Sequence, residues 1–215
     1  MELLLFGATG AVGRQVLQQA LDTPGIRRIT APTRRPLAPH DKLDNPVLDF
    51  RSPLPDADWW RADALICCLG TTLKQAGGKA GFHAIDHDLV LAVAQRAHDA
   101  GTPVMVLNSS MGANARSLSF YLRTKGEVEQ ALQTMGFDRL VLVRPSLIDA
   151  QREEKRRGED LGLMLGRRLG SLIPARYRPV TARDIAACMI DSVSRPGALE
   201  MIGSDAIARA GNSPG

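Results

Sequence analysis

Large aromatic side chains are scarce in this chain: its 215 residues include two Trp and two Tyr. Single-stranded nucleic acids are held by bases stacked on such rings, so that ligand class has no platform here. Charge of one sign is scarce as well. Lys and Arg number 27 against 23 Asp and Glu, a net charge of +4. That excess suits an anionic small molecule and falls well short of the basic stripe of a nucleic-acid binder. Cysteine occurs three times, with Cys67 and Cys68 adjacent in an apolar run and Cys188 in a helical pattern. An odd count placed this way argues against a disulfide framework and for small buried thiols in a reducing compartment. No apolar run is long enough to span a bilayer, and the N-terminal one ends in a glycine turn rather than a cleavage site. These absences give the expectation of a cytoplasmic protein with neither membrane nor nucleic acid as partner. A hydrophobic content of 44% allows one domain, 1–215, with a full core.

What the chain has is a regular alternation. Apolar strands are expected at 3–6, 28–32, 47–50, 64–69, 104–108 and 140–143. Helices are expected at 11–21, 81–100 and 117–135, the last two closed by Gly101 and Gly136. Strands apolar on both faces, separated by amphipathic helices, indicate a parallel sheet covered on both sides. Right-handed crossovers then give the α/β doubly wound Rossmann order 3-2-1-4-5-6. Pro36, Pro39 and Pro46 mark a loop. After Arg144-Pro145 the character changes: a charge run at 151–157, helical patterns at 159–172 and 181–193, and a tail at 209–215 expected to be disordered. In such a fold this region lies over the ligand-binding ends of the strands, so 146–205 is expected to contribute a small substrate cap.

The strongest local signal is Leu3-Leu4-Leu5-Phe6-Gly7-Ala8-Thr9-Gly10-Ala11-Val12-Gly13. A buried strand, a glycine-rich turn and a helix start follow one another directly. Glycine lets the backbone approach a ligand closely, and the helix N-terminus offers unpaired N–H groups to a pyrophosphate. The G-x-x-G-x-x-G spacing differs from G-x-G-x-x-G, but its context is that of a dinucleotide fingerprint. After the second strand come Thr33-Arg34-Arg35, where an NAD site places an acidic residue. Two guanidiniums there suit the 2′-phosphate of NADP instead.

Tyr121 and Lys125 stand at i and i+4, on one face of a helix. The ammonium can stabilise a phenolate, which makes Tyr121 a candidate proton donor to a carbonyl. The preceding strand ends in Asn108-Ser109-Ser110, and either serine could orient that carbonyl. His83 and His87 share the same spacing and would suit a metal pair. The glutamate of the zinc-protease helix is lacking, so a solvated helix face is the expectation and no metal is assigned.

Taken together, the glycine turn, Leu69-Gly70-Thr71-Thr72, Ser109-Ser110-Met111-Gly112, Tyr121…Lys125 and Arg144-Pro145-Ser146 resemble the short-chain dehydrogenase/reductase superfamily. The resemblance is nearest to its atypical branch, with C-C-L-G-T-T, S-S-x-G-A and K-G-E-V-E among the similar strings. It covers most of residues 2 to 205. It implies an NADPH-binding oxidoreductase acting on a small carbonyl substrate. Gly7, Thr9, Gly10, Ala11, Val12 and Gly13 would hold the pyrophosphate region, and Arg34 and Arg35 the 2′-phosphate. Leu69, Gly70 and Thr71 would line the adenosine side, Tyr121 and Lys125 would serve catalysis with Lys125 also on the nicotinamide ribose, and Ile148 would lie near the nicotinamide. Arg156 matches a cofactor-contacting arginine by counting through the charged loop. The pattern departs from the classical one: Ser110 precedes Tyr121 by eleven residues and Ser109 by twelve, slightly short of the classical spacing. No Asn stands on the helix after strand four, where Asp86 and Asp88 are found. The alternative is a regulatory protein that senses NADPH without turnover and binds a protein partner. A sugar-nucleotide epimerase finds little room in the residues after strand six, and a kinase lacks its H-R-D and D-F-G motifs.

Overall fold

The computed structural model describes residues 1–149 and 174–211. The expected helix at 159–172, the charge run at 151–157 and Arg156 lie outside the described residues. Seven parallel strands form one sheet in the order β3-β2-β1-β4-β5-β6-β9. They are β1 (Glu2–Phe6), β2 (Arg28–Thr30), β3 (Leu43–Asp44), β4 (Ala64–Cys67), β5 (Val104–Asn108), β6 (Arg139–Arg144) and β9 (Leu199–Gly203). A separate ladder joins β7 (Ile148–Asp149) to β8 (Val180–Thr181).

Strand residues divide between the two faces with period two, as the pleat requires. Leu3 and Leu5 of β1, Ile66 of β4, Val106 of β5 and Val141 and Val143 of β6 enter one core layer. Leu4, Phe6, Leu65, Cys67, Met105, Leu107, Leu140 and Leu142 enter the other. The first layer is roofed by α1 (Ala11–Asp22), α5 (Ala182–Ser192) and α6 (Ser204–Gly211). The second is roofed by α3 (Val90–Asp99) and α4 (Phe120–Met135). Burial on both faces explains why β1, β4, β5 and β6 read as continuous apolar runs. All three cysteines are free and buried, as expected of small apolar side chains.

Several elements differ from expectation. The third strand lies at Leu43–Asp44, inside the stretch read as a loop, and not at 47–50. Asn45 is the cause: its Nδ2 donates to Ala31 O at 2.5 Å and Thr33 Oγ1 at 2.9 Å, locking the preceding pair onto β2. Val47, beyond Pro46, keeps a single bridge to Thr33. A seventh strand, β9, extends the sheet beyond β6. Ile202 is its only buried residue, so its apolar signal is weak. It is secured by Arg139, which donates to Pro196 O, Gly197 O and Ser192 O and pairs with Glu200. Residues 209–211, expected to be disordered, are the last turn of α6. Much of the span read as a cap thus belongs to the main layers, since α5 packs on α1 and β9 on β6. Finally, the single helix expected at 81–100 is α2 (Lys79–His83), a π-helical segment Ala84–Leu89, and α3.

Candidate active site

The glycine turn, the loop after β4, the loop after β5 and the start of α4 meet at the C-terminal edge of the sheet, where open α/β sheets bind ligands. Gly7 leaves β1 with φ of +85°, a conformation glycine adopts freely. A Cβ on Gly7 would stand 2.5 Å from the Cys68 carbonyl, and one on Gly13 would stand 2.1 Å from Gly7 O. These two glycines therefore let strand tip, turn and helix touch backbone to backbone. Gly10 N donates to Gly7 O at 3.0 Å. Gly10 is the N-cap of α1, no side chain caps that end, and its first turn carries no acidic residue. Thr9, Gly10 and Ala11 are exposed, while Val12 and Gly13 are buried. The helix end is thus open and positive, and fits a pyrophosphate. Beside it, Thr33 is buried and its Oγ1 donates to Arg35 O at 2.7 Å. That bond shapes the turn that projects Arg34 and Arg35 into solvent. Neither guanidinium has an ion-pair partner among the described residues.

The opposite wall is α4. Tyr121, in its first turn, is exposed and packs its ring against Phe82 at 5.6 Å. Lys125, one turn on, is buried, with Nζ 2.8 Å from Oδ1 of the equally buried Asp86. Oδ2 of Asp86 accepts from Thr71 N at 2.8 Å. A Cβ on Gly70 would come within 3.5 Å of Asp86 Oδ1 and 3.9 Å of Lys125 Nζ, so the loop after β4 lies directly over this ion pair. Asp86 occupies the helix where the classical Asn was expected. The adjacent Cys67 is fully enclosed, and burial pushes its thiol up to about 11, against the opposing pull of the Leu69 amide and Lys125.

The two candidate serines differ. Ser109 is buried and its Oγ donates to Glu129 Oε1 at 2.5 Å. Glu129 is itself buried and holds Arg144, whose Nε lies 3.0 Å from Oε1. This hydrogen bond raises the Arg144 guanidinium further against deprotonation. Ser109 is thereby committed to a support of the α4–β6 junction. Ser110 is half-buried with one long contact, 3.4 Å to Met111 O, and its hydroxyl is available. The loop carrying both serines lies flat on α4. Asn114 N donates to Leu122 O at 3.0 Å, and a Cβ on Gly126 would stand 2.2 Å from the Asn114 and Ala115 backbone.

Among curated proteins, the chain is 31% identical to the protein HTATIP2 of Rattus norvegicus over 219 residues, 97% of this chain and 88% of that one. It is 37% identical to the mitochondrial protein fmp52 of Emericella nidulans over 183 residues, 78% of this chain and 76% of that one. The chain belongs to the family of HTATIP2 and the fmp52 proteins. No family model matches it. Solved structures confirm the fold. MoeE5 in complex with UDP-glucose and NAD superposes with a TM-score of 0.70 at 16% identity, over 97% of this chain and 80% of that one. A short chain dehydrogenase family protein from Francisella tularensis gives 0.63 at 14% identity, over 96% and 98%.

Membership in the HTATIP2 and fmp52 family corrects one expectation. The fmp52 relatives are named mitochondrial, against the cytoplasmic location expected here. That expectation rested on free thiols and a missing apolar leader, and neither feature separates one reducing compartment from another. Among the described residues no helix is long and apolar enough to cross a membrane.

Of the remaining candidates, Leu69 and Thr71 are half-buried and Gly70 exposed on the loop after β4. The backbone of Ile148 pairs with Val180 just beyond β6. Sequence reasoning missed the Asp86–Lys125 and Glu129–Arg144 pairs. An acid in the middle of an amphipathic helix was the available signal, since a solvated face needs no carboxylate on its apolar side. A polar recess of about 540 Å³ lined by Asp56, Asp58, Trp60, Arg96 and Asp99 lies before β4 and β5, at the opposite edge of the sheet.

Proposed function

We propose that the chain binds NADPH and reduces a small carbonyl compound. The observation that carries this reading is the α4 face: an exposed Tyr121 one turn from a buried Lys125 whose ammonium is fixed by Asp86 beside Gly70. When bound, the dinucleotide supplies the hydride. The open end of α1, at Thr9, Gly10, Ala11 and Val12, would hold the pyrophosphate, with Gly7 and Gly13 shaping the turn. Arg34 and Arg35 would take the 2′-phosphate as a charge-assisted fork. Leu69, Gly70 and Thr71 would line the adenosine side, Lys125 would reach the ribose, and Ile148 would stand by the nicotinamide.

Tyr121 donates its hydroxyl proton to the carbonyl oxygen as the carbonyl carbon accepts the hydride, and the product is an alcohol. Lys125 stabilises the phenolate that remains until solvent returns the proton. Asp86 acts through Lys125 by holding its position. Ser110, rather than Ser109, orients the carbonyl, because the Ser109 hydroxyl is engaged by Glu129. Preorganised donors of this kind stabilise the developing oxyanion without reorganising.

The test is NADPH oxidation over a panel of aldehydes and ketones, run beside NADPH and NADH binding. Turnover with at least one carbonyl, tighter binding of NADPH than NADH, and loss of turnover in Tyr121→Phe are expected. Tight NADPH binding with no turnover anywhere on the panel would instead identify a sensor that presents a surface to a protein partner.

A further inference from the structure

His83 and His87 lie one turn apart where α2 runs into its π segment, with rings stacked at 4.3 Å. Asp88 reaches both: Oδ1 lies 2.8 Å from His87 Nδ1 and Oδ2 lies 3.3 Å from His83 Nδ1. An imidazole that donates from Nδ1 keeps its lone pair on Nε2. From α4, Glu127 faces the same place: one ligand atom each of His83, His87 and Glu127 lies within 4.8 Å of the other two. All three side chains are half-buried. Asp86, on the same π segment, is turned inward to Lys125 and takes no part.

We propose that His83, His87 and Glu127 form a binding site for a zinc-class divalent cation, with Asp88 orienting both imidazoles. Two nitrogens and one carboxylate oxygen suit zinc or cobalt, whereas calcium and magnesium take oxygen ligands. Tetrahedral zinc at about 2.0–2.1 Å from each donor needs donors roughly 3.3 Å apart, so the side chains, now within 4.8 Å of one another, would draw together on the ion. A carboxylate on the far nitrogen of a ligating histidine is the usual outer partner of such a site. The ion would cross-link the π segment to α4, the two elements that carry Asp86 and Lys125. π segments inside helices are often found at functional positions.

The test is calorimetric titration of the full chain, free of any affinity tag, with zinc, and a visible spectrum with cobalt. One equivalent of zinc per chain and the intense visible bands of tetrahedral cobalt are expected. His87→Gln and Glu127→Gln should each abolish saturable binding, and Asp88→Asn should weaken it about 10- to 100-fold. Circular dichroism melts identify any variant that fails to fold, in which case the other ligand variant and His83→Gln decide. Absence of saturable one-to-one binding, or binding unchanged by the ligand substitutions, overturns the proposal and leaves a stacked histidine pair bonded to Asp88 alone.

Discussion

At the tip of β1 the chain meets its cleft with backbone. Gly7, Gly10 and Gly13 bring strand, turn and helix together and leave the α1 amides open. On the α4 wall it meets the same cleft with buried charge, Lys125 against Asp86 and Arg144 against Glu129. The first construction desolvates no ion, and its demand is for space: a single methyl collides. The second removes ions from water, at a cost recovered only while both partners stay in place. Shape therefore governs tolerance on one side of the cleft, and charge balance governs it on the other.

The sharpest test of the charged side is Tyr121→Phe. Loss of the proton donor should lower turnover of a reduced carbonyl by roughly 10²- to 10⁴-fold, measured as kcat with NADPH binding unchanged. Next comes Asp86→Ala, which leaves a buried ammonium unpaired and should cost roughly 3–5 kcal/mol in chemical denaturation. A loss below about 1 kcal/mol, the range of an exposed pair, would show that Lys125 escapes to water and that the two walls differ less than their burial indicates.

Alkali probes the junction between the walls. Burial raises the Cys67 thiol from an ordinary 9.0 to about 11, so the folded state favours the protonated form. Its contribution to stability is complete below pH 9 and is lost as pH rises toward 11, about 3 kcal/mol for a shift of this size. Denaturation curves at pH 8 and pH 10.5 should show the fall, and Cys67→Ala should reduce it without removing it, because burial raises the Cys68 and Cys188 thiols in the same direction. On the backbone side, Gly13→Ala forces a Cβ against Gly7 O and should cost roughly 1–3 kcal/mol in a thermal melt. The smallest effect belongs to the exposed arginines. Arg34→Ala combined with Arg35→Ala should weaken NADPH at least about tenfold, the loss of the charge-assisted fork, and leave NADH unchanged. Equal weakening of both would assign the arginines to general charge rather than to the 2′-phosphate.

Legibility in the sequence followed the range of the interactions. The strand–turn–helix at residues 2–22 is local, and its glycines announce the turn they make. The central strands were readable because burial on both faces leaves little except apolar side chains. β3 was misplaced because Asn45 fixes it by reaching back to Ala31 and Thr33, contacts that no short window contains. β9 was missed because an edge strand with one buried residue has no period to detect, and Arg139 holds it from some sixty residues away. Tyr121 and Lys125 stood out by spacing alone. Asp86 did not, because its partner lies on another helix and its burial depends on the π segment.

Gly126 has a mechanical consequence. Without a side chain there, the loop from Ser109 to Arg116 rests on α4 with nothing between them, and the Asn114–Leu122 hydrogen bond fastens it. Serine, tyrosine and lysine therefore ride on a single stiff jaw. The same loop is tied to the sheet by Ser109 N to Val143 O and by Met111 N to Pro145 O, so backbone contacts rather than side chains fix the spacing among the three polar groups.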